Sequence, residues 1–356
     1  MLPLLQHSFS IFKIRGLQGS FEKTPDVQFK IDSLFTTGYQ ERKEKFLTEN
    51  FGFRNDAIRV NNQISYSLFN IAPAHSCIIG KNDYLYEENY IKAYLGLDFV
   101  GEDSIAHRVQ KLKFVQDTLA KMGKTLLFVF APGKASFYPE YIPSPYDTIK
   151  PQITNYQCYL KNIKKQQINH VDFMHYFLEN KNKSKYPLYP KYGIHWSYYG
   201  YCFASDSLVK YFENKLNIDM PNQIWNNIET EYAHGNDVDI CRGFNLLFDT
   251  QFELMAYPDI TVESKKGKKT PNLLTIGDSF HWCLADNGKL LESFNNFEFL
   301  YYNREFYTSK FIKVKRNEIN LKERIEHNDI IMLIMTDANL SRAGWNFVEE
   351  CYKLYR

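Results

Sequence analysis

One octet, residues 273–280, constrains the fold of this chain more than any other segment. It reads Leu-Leu-Thr-Ile-Gly-Asp-Ser-Phe, and a helix-compatible run follows at 282–291. An apolar run that ends in Gly-Asp-Ser predicts a strand, a tight turn and a helix, and Gly277 permits the sharp bend. Ser279 would lie at a strand end and a helix N-terminus, where free backbone N–H groups can stabilise a developing oxyanion. This position suits a nucleophilic serine, although Asp278 or Ser279 could equally be a simple helix cap.

A second segment supplies a candidate base for that serine. Residues 192–200 read Tyr-Gly-Ile-His-Trp-Ser-Tyr-Tyr-Gly, so that His195 stands beside Trp196 and just before a helix start at Ser197. A lone histidine of this kind is more often structural than catalytic, but a histidine within hydrogen-bond reach of a serine can act as its general base. Ser279 lies 279 − 195 = 84 residues downstream. The pair, rather than either residue alone, indicates nucleophilic catalysis.

The order of these motifs, His-Trp-Ser before Gly-Asp-Ser-Phe, resembles that of a known family. It is similar to the SGNH-hydrolase-like acetyltransferases of the alginate O-acetyltransferase (AlgX/AlgJ-like) family. Three further segments resemble the family's early aromatic–Arg signature, its Gly-Lys hairpin, and its strand with a proline-rich loop; they are residues 51–54, 78–86 and 128–143. Together the matching pieces cover residues 45–350.

The resemblance implies a function. Ser279 would be the nucleophile and His195 the base of an O-acetyltransferase, which moves an acetyl group through a serine acyl-enzyme onto a hydroxyl of an exported polysaccharide. A membrane-bound acyltransferase would supply the acetyl groups, and we expect no cofactor and no metal. The protein would act in the periplasm, anchored to the inner membrane by a segment upstream of Met1, since Met1–Leu5 is apolar.

One position departs from the family pattern. The family's histidine motif is Asp-x-His-Trp, and its aspartate orients the histidine; here that position is Gly193. Another acid could serve, the site could be a Ser–His dyad, or the protein could be catalytically inactive. Family members place a Gly-Asp-Leu segment near the site, which favours Asp237 or Asp239, and other possible acids are Asp249 and Asp172.

Four other residues are candidates for substrate binding, each with a simpler structural interpretation. Lys134 could meet an anion or lie in a solvated loop, and Trp196 could stack on a sugar ring or pack behind His195. Tyr138 is ambiguous in the same way. Asn339 follows an apolar run and could be a second oxyanion donor or a turn residue.

Composition excludes several classes of function. The chain has 356 residues with 43 basic and 41 acidic side chains, a net charge of +2, so that no basic surface for nucleic acid is expected. Its six cysteines include no Cys-x-x-Cys pair, which argues against zinc and thioredoxin-like sites and favours buried thiols. No stretch of 18 apolar residues exists that could span a membrane.

Strand and helix patterns alternate along most of the chain. Buried strands are predicted at 125–130, 273–277, 297–301 and 330–335, with helices between them. The pattern predicts an α/β fold, an SGNH-hydrolase-like doubly wound sheet of mainly parallel strands with a helical N-terminal region. Residues 1–35 would be an extended lead-in and 36–356 one acetyltransferase domain, in which 222–270 is a less regular, β-rich insertion.

Two other functions remain open. A carbohydrate acetyl-esterase would use the same acyl-enzyme, which water rather than a sugar would attack. A catalytically inactive carbohydrate-binding or scaffold protein would retain the fold alone. Gly193 favours the inactive protein, whereas the presence of both Ser279 and His195 favours an enzyme.

Overall fold

The computed structural model describes residues 2–19, 24–29, 31–286 and 288–356. The α-helices are α1 Leu2–Phe9, α2 Tyr39–Glu49, α3 Arg54–Phe69, α4 Glu88–Leu95, α5 Glu102–Lys121, α6 Lys134–Phe137, α7 Asn155–Lys165, α8 Phe173–Asn180, α9 Tyr198–Leu216, α10 Asp239–Gly243, α11 Phe280–Asp286, α12 Leu321–His327 and α13 Phe347–Tyr355. The strands are β1 Cys77–Ile79, β2 Leu85–Glu87, β3 Thr125–Ala131, β4 His170–Asp172, β5 Gln223–Tyr232, β6 Leu254–Val262, β7 Asn272–Gly277, β8 Asn296–Tyr301, β9 Glu305–Tyr307, β10 Lys313–Lys315 and β11 Ile330–Thr336.

A seven-stranded sheet forms the centre of the fold, in the order β10-β9-β8-β7-β11-β3-β4. Neighbouring strands from β8 to β4 run parallel, whereas β9 and β10 pair antiparallel at one edge. The central strands are continuously apolar because helices cover both faces of the sheet. Every residue of β11, for example, is buried. The predicted α/β fold with a mainly parallel sheet is confirmed.

Alternate side chains of these strands point to opposite faces. Phe128 and Leu333 join one hydrophobic cluster with Leu112 of α5 and Phe347 of α13. On the other face, α8 packs against β3 and α11 against β11. The sheet is therefore wound on both sides, and its crossovers bring several strand ends to one edge.

The strand register shows which strand ends lie together at one edge of the sheet. Thr336 of β11 pairs with Ala131 of β3, and Gly277 of β7 pairs with Tyr301 of β8. Because these strands are parallel, their carboxyl ends lie side by side. Ligands bind at this edge in open α/β sheets.

Contact clustering divides the chain into two compact units. One unit comprises residues 1–79 and 239–251, and the other comprises residues 80–238 and 252–356 and contains the large sheet. Within the first unit, Arg59 donates to the carbonyls of Gly16 and Leu246. The β-rich insertion predicted at 222–270 is an antiparallel ribbon of β5 and β6, and residues 239–251 between these strands belong to the first unit.

The N-terminal region differs from the extended lead-in that the sequence suggests. It includes α1, with Leu2 and Phe9 exposed, and a 3-10 helix at Ile31–Phe35. Met1, at which the predicted apolar segment starts, lies outside the described residues. Among the described residues, no helix combines the length and the apolar character that crossing a membrane requires.

Candidate active site

The nucleophile candidate and the base candidate lie in contact. Ser279 stands between β7 and α11, and its Oγ is 2.9 Å from Nε2 of His195. Both side chains are partly exposed, so that a substrate can reach them from solvent. The distance is that of a hydrogen bond, which is the geometry that a serine and its general base require.

Asp278 holds the serine turn in place. Its carboxylate is completely buried and accepts four hydrogen bonds: from the N–H of Phe280, the N–H and Oγ1 of Thr336, and Nδ2 of Asn339. Burial raises the pKa of Asp278, and these hydrogen bonds oppose that rise. Asp278 therefore caps α11 and ties the end of β7 to the end of β11, which leaves the Ser279 hydroxyl to His195.

Strand packing, rather than the turn itself, explains the glycine at position 277. A Cβ at this position would come within 2.7 Å of the Ile334 side chain, although the backbone φ of Gly277 is not in the left-handed region. Glycine is thus required for close approach of β7 to β11 rather than for an unusual bend.

Trp196 packs behind the histidine, which corrects its assignment as a substrate residue. Its side chain is completely buried, and its ring contacts Phe177, Phe173 and Phe280. The His195 ring lies against the same Phe280, with 4.8 Å between centroids. A buried indole cannot stack on a sugar, so that Trp196 supports the loop that carries His195.

Lys134 is likewise not the solvated, anion-binding lysine that its loop suggests. It is completely buried, and its Nζ donates to the carbonyl oxygens of Lys191 at 2.7 Å and Gly193 at 2.6 Å. These carbonyls belong to residues 191–196, the segment around His195 that we call the histidine loop. Lys134 contacts the histidine loop from the end of β3 and does not face a substrate.

Gly193, which replaces the family's aspartate, lies against another acidic segment. A Cβ at Gly193 would come within 2.5 Å of the Asn236 carbonyl oxygen and 2.9 Å of the Asp237 carbonyl oxygen. Asp237 is buried, and its Oδ1 accepts the N–H of Tyr198 at 3.1 Å. The 236–237 segment thus occupies the space that a side chain at position 193 would need.

The remaining candidate acids have other partners or positions. Asp172 accepts the Tyr156 hydroxyl on both oxygens and also caps α8, whereas Asp249 is highly exposed and pairs with Arg15. These contacts argue against Asp172 and Asp249 as the acid. Asp239 begins α10, where its Oδ1 accepts the N–H of Ile240.

Two further candidates have clear positions. Asn339 donates from Nδ2 to Asp278 at 2.8 Å and to Thr336 Oγ1 at 3.2 Å, which corrects its assignment as an oxyanion donor. Its amide supports Asp278 and is not directed to Ser279. Tyr138 is partly exposed within a cluster of tyrosine rings that includes Tyr84, and burial raises its pKa.

Tyr302, which the sequence does not single out, follows β8 at the same sheet edge. Its phenol interacts with the Ser279 side chain. Burial and the nearby Asp278 carboxylate raise the pKa of Tyr302, which keeps the phenol protonated and able to donate. Its position directly after a buried strand was the available signal, but the chain contains 26 tyrosines.

Comparisons with known proteins identify a similar family and similar folds. Residues 77–233 match the family described as SGNH hydrolase-like domain, acetyltransferase AlgX. The O-acetyltransferase domain of Pseudomonas putida AlgJ has a similar structure, with a TM-score of 0.52 and 13% identity over 78% of this chain and 99% of that chain. Bacillus cereus PatB1 with a sulfonyl adduct gives 0.51 and 14% over 77% and 99%. No curated protein matches the chain. The predicted family resemblance is confirmed, and the two structures establish the shared fold.

Proposed function

Because residues 77–233 carry the SGNH hydrolase-like domain of the AlgX acetyltransferases, we propose that this protein is an O-acetyltransferase with a Ser279–His195 centre. The observation that carries the proposal is the 2.9 Å contact between Ser279 Oγ and His195 Nε2. The contact lies at the carboxyl edge of the parallel sheet, where α/β enzymes place their sites. The acceptor is a hydroxyl of an exported polysaccharide.

The reaction follows from this contact in two half-reactions. Ser279 Oγ attacks the acetyl carbonyl as His195 Nε2 takes its proton, and the collapse of the tetrahedral intermediate returns that proton to the leaving group. The acetyl group is then an ester on Ser279. A sugar hydroxyl attacks this ester while His195 takes the hydroxyl proton, and the proton passes to Ser279 Oγ as the sugar ester leaves.

Two donors are available for the negatively charged oxygen of each tetrahedral intermediate. The backbone N–H of Ser279 lies at the start of α11, where the first helical N–H groups have no partner within the helix. The Tyr302 phenol, which follows β8 at the same sheet edge and interacts with the Ser279 side chain, is the second candidate donor. Together they would form an oxyanion hole without Asn339.

Asp237 is the acid that best replaces the missing aspartate. It is buried, its backbone packs against Gly193, and its carboxylate accepts from the N–H of Tyr198 at the start of α9, so that it contacts the chain on both sides of His195. A carboxylate there would select the His195 tautomer that accepts the serine proton. Asp239 is two residues away along the chain and is the second candidate.

The cellular setting is part of the same proposal. The polysaccharide substrate implies a location in the periplasm, with the protein anchored to the inner membrane. A membrane-bound acyltransferase would deliver the acetyl group to Ser279. Fractionation of cells that express the full-length gene tests this setting, and recovery in the cytoplasm would argue against both the anchor and the exported substrate.

A transfer assay tests the proposed reaction. The purified protein is incubated with p-nitrophenyl acetate and a panel of neutral and acidic oligosaccharides, and acetylated sugar is measured by mass spectrometry against released acetate. We expect sugar ester from the wild type and none from Ser279→Ala. The matched control is Ser207→Ala, since the Ser207 hydroxyl donates to the Phe203 carbonyl of its own helix, α9.

Other outcomes identify the alternatives. Acetate release that depends on Ser279 without any sugar ester across the panel indicates an acetyl-esterase. Binding of an oligosaccharide with neither product indicates the inactive scaffold protein, which Gly193 alone favours.

A further inference from the structure

We infer that Lys134 is a positioning residue for His195, which fixes the histidine loop by binding two of its backbone carbonyls. The inference rests on the proposed Ser279–His195 function and extends it to a residue in neither motif. The sequence places Lys134 directly after Ala-Pro-Gly at the end of β3, on the other side of the sheet centre from the serine strand.

The geometry of the lysine is specific. Nζ donates at 2.6 Å to the Gly193 carbonyl and at 2.7 Å to the Lys191 carbonyl, so that one amine links two peptide groups of the same loop. The side chain is completely buried, and Nζ lies 5.5 Å and 5.9 Å from the ring centroids of Tyr86 and Tyr84. Burying a lysine costs free energy unless its donors are satisfied, and here the histidine loop accepts two hydrogen bonds from the ammonium group.

The histidine loop needs such a support because residues 191–196 form neither a helix nor a strand. Residues 191–196 form turns and bends between α8 and α9, and His195 lies two residues beyond the second carbonyl that Lys134 binds. On the opposite side, Gly193 abuts the 236–237 backbone. The loop is therefore held between Lys134 and that segment, and a shift of the Gly193 peptide would move the imidazole relative to Ser279.

The position of Lys134 itself is fixed by its neighbours. A Cβ on the preceding Gly133 would lie 1.9 Å from Oδ1 of Asp337, so that only glycine fits beneath that buried carboxylate. Gly133 and Asp337 thus connect the ends of β3 and β11, and Lys134 extends this connection to the histidine loop. Displacement of a catalytic group by about 1 Å can reduce turnover on the order of a hundredfold.

Amide hydrogen exchange tests the positioning without any assay of activity. We expect Lys134→Met to accelerate exchange about tenfold in peptides that cover residues 188–197, because two loop carbonyls lose a donor. The matched control is Lys181→Met: Lys181 also donates to a carbonyl, that of Phe137, and lies over the Tyr138 ring, but it does not bind the histidine loop. Unchanged protection of 188–197 in Lys134→Met, or an equal effect of Lys181→Met, would overturn the inference.

Kinetics then show whether the loop acts through the histidine. With p-nitrophenyl acetate, and with turnover expressed per serine titrated by a sulfonyl fluoride, Lys134→Met should lower kcat roughly ten- to a hundredfold with KM nearly unchanged. In a His195→Ala background the same substitution should change the residual rate less than about twofold, since coupled residues are not additive. An undiminished loss in that background overturns the inference. If Lys134→Met does not fold, Lys134→Gln is measured in its place and should show the same pattern with smaller effects.

Failure of the proposed function would give a different result from failure of the Lys134 inference. A wild-type protein with neither ester turnover nor a sulfonylated Ser279 contradicts the acetyltransferase proposal, and hydrogen exchange still decides whether Lys134 fixes the loop.

Discussion

At the scale of single residues, Ser279 owes its position to Asp278 and its chemistry to His195. Asp278 caps α11 through the Phe280 N–H, so that the Ser279 hydroxyl is not needed as a cap. The helix-cap interpretation of the motif therefore applies to the aspartate and the nucleophile interpretation to the serine.

The first prediction separates these two roles. Ser279→Ala should abolish hydrolysis of p-nitrophenyl acetate and leave the free energy of unfolding nearly unchanged, because the lost contacts are with His195 and Tyr302 and not with the helix. Rates and urea denaturation are measured together, with Ser207→Ala as the control. A variant that loses stability but still hydrolyses the ester would favour a structural serine.

The second prediction concerns the acid. Asp237→Asn should lower turnover at least about tenfold, on the scale set by loss of the carboxylate in serine-protease triads. Asp239→Asn, which removes the second candidate carboxylate at the start of α10, is measured beside it. A larger effect at Asp239 would transfer the role to that residue, and no effect at either would indicate that a backbone carbonyl orients His195.

The third prediction concerns Gly193. Restoring the family aspartate with Gly193→Asp should reduce both stability and activity, because its Cβ would come within 2.5 Å of the Asn236 carbonyl. Circular dichroism melts and ester hydrolysis measure the two effects. An active, stable variant would show that the 236–237 segment can move away.

At the scale of elements, the site depends on the alignment of strand ends. Asp278 after β7 accepts from Thr336 at the end of β11, and Asp337 after β11 accepts from the Ser136 hydroxyl after β3. Three strands therefore share one network of short polar contacts, which fixes the turns that carry Ser279 and Lys134.

The fourth prediction tests this network. Asp278→Asn places an N–H₂ group among donors, so that at least one buried hydrogen bond is lost at a cost of about 1–3 kcal/mol in unfolding free energy. Urea denaturation measures the cost. Asp286→Asn, at the exposed end of α11, is the control and should change stability little. Equal stability of the two variants would contradict the network.

The sequence predicts the elements of the site better than their side-chain environments. The strand–turn–helix at Ser279 could be predicted because the apolar run, the glycine and the helix pattern lie within one short stretch of sequence. The sequence does not predict the burial of Lys134 and Trp196 or the hydrogen bond from Asn339 to Asp278, because these depend on segments far along the chain. All three residues were therefore assigned to substrate binding. Tyr302 was missed since nothing local distinguishes it from the other tyrosines.

At the scale of the whole molecule, stability should depend on pH through a buried histidine. His281 on α11 is 1% exposed, and burial lowers its pKa to about 3. Within the described residues, neither ring nitrogen has a hydrogen-bond partner. The His281 side chain therefore takes up a proton near pH 6.5 in the unfolded chain but not in the native state. Its contribution to the free energy of unfolding is fully present above that pH and decreases below it.

The fifth prediction follows from that sign. Between about pH 6.5 and pH 3 this one group should lower the unfolding free energy by at most about 1.4 kcal/mol per pH unit. His281→Met should flatten this decline, whereas His327→Gln, at an exposed position of α12, should not. Urea midpoints at pH 7 and pH 5 measure the difference, and parallel declines in wild type and His281→Met would contradict the assignment.

The central claim is that Ser279 carries the acetyl group, and intact-mass spectrometry tests it most directly. The protein is mixed with p-nitrophenyl acetate, quenched in acid within the first turnover, and digested to locate the modification. We expect the mass of one acetyl group on the peptide that contains Ser279 in the wild type, and none in Ser279→Ala or His195→Ala. Acetylation confined to other residues, or equal acetylation of the Ser279 peptide in His195→Ala, would contradict the account.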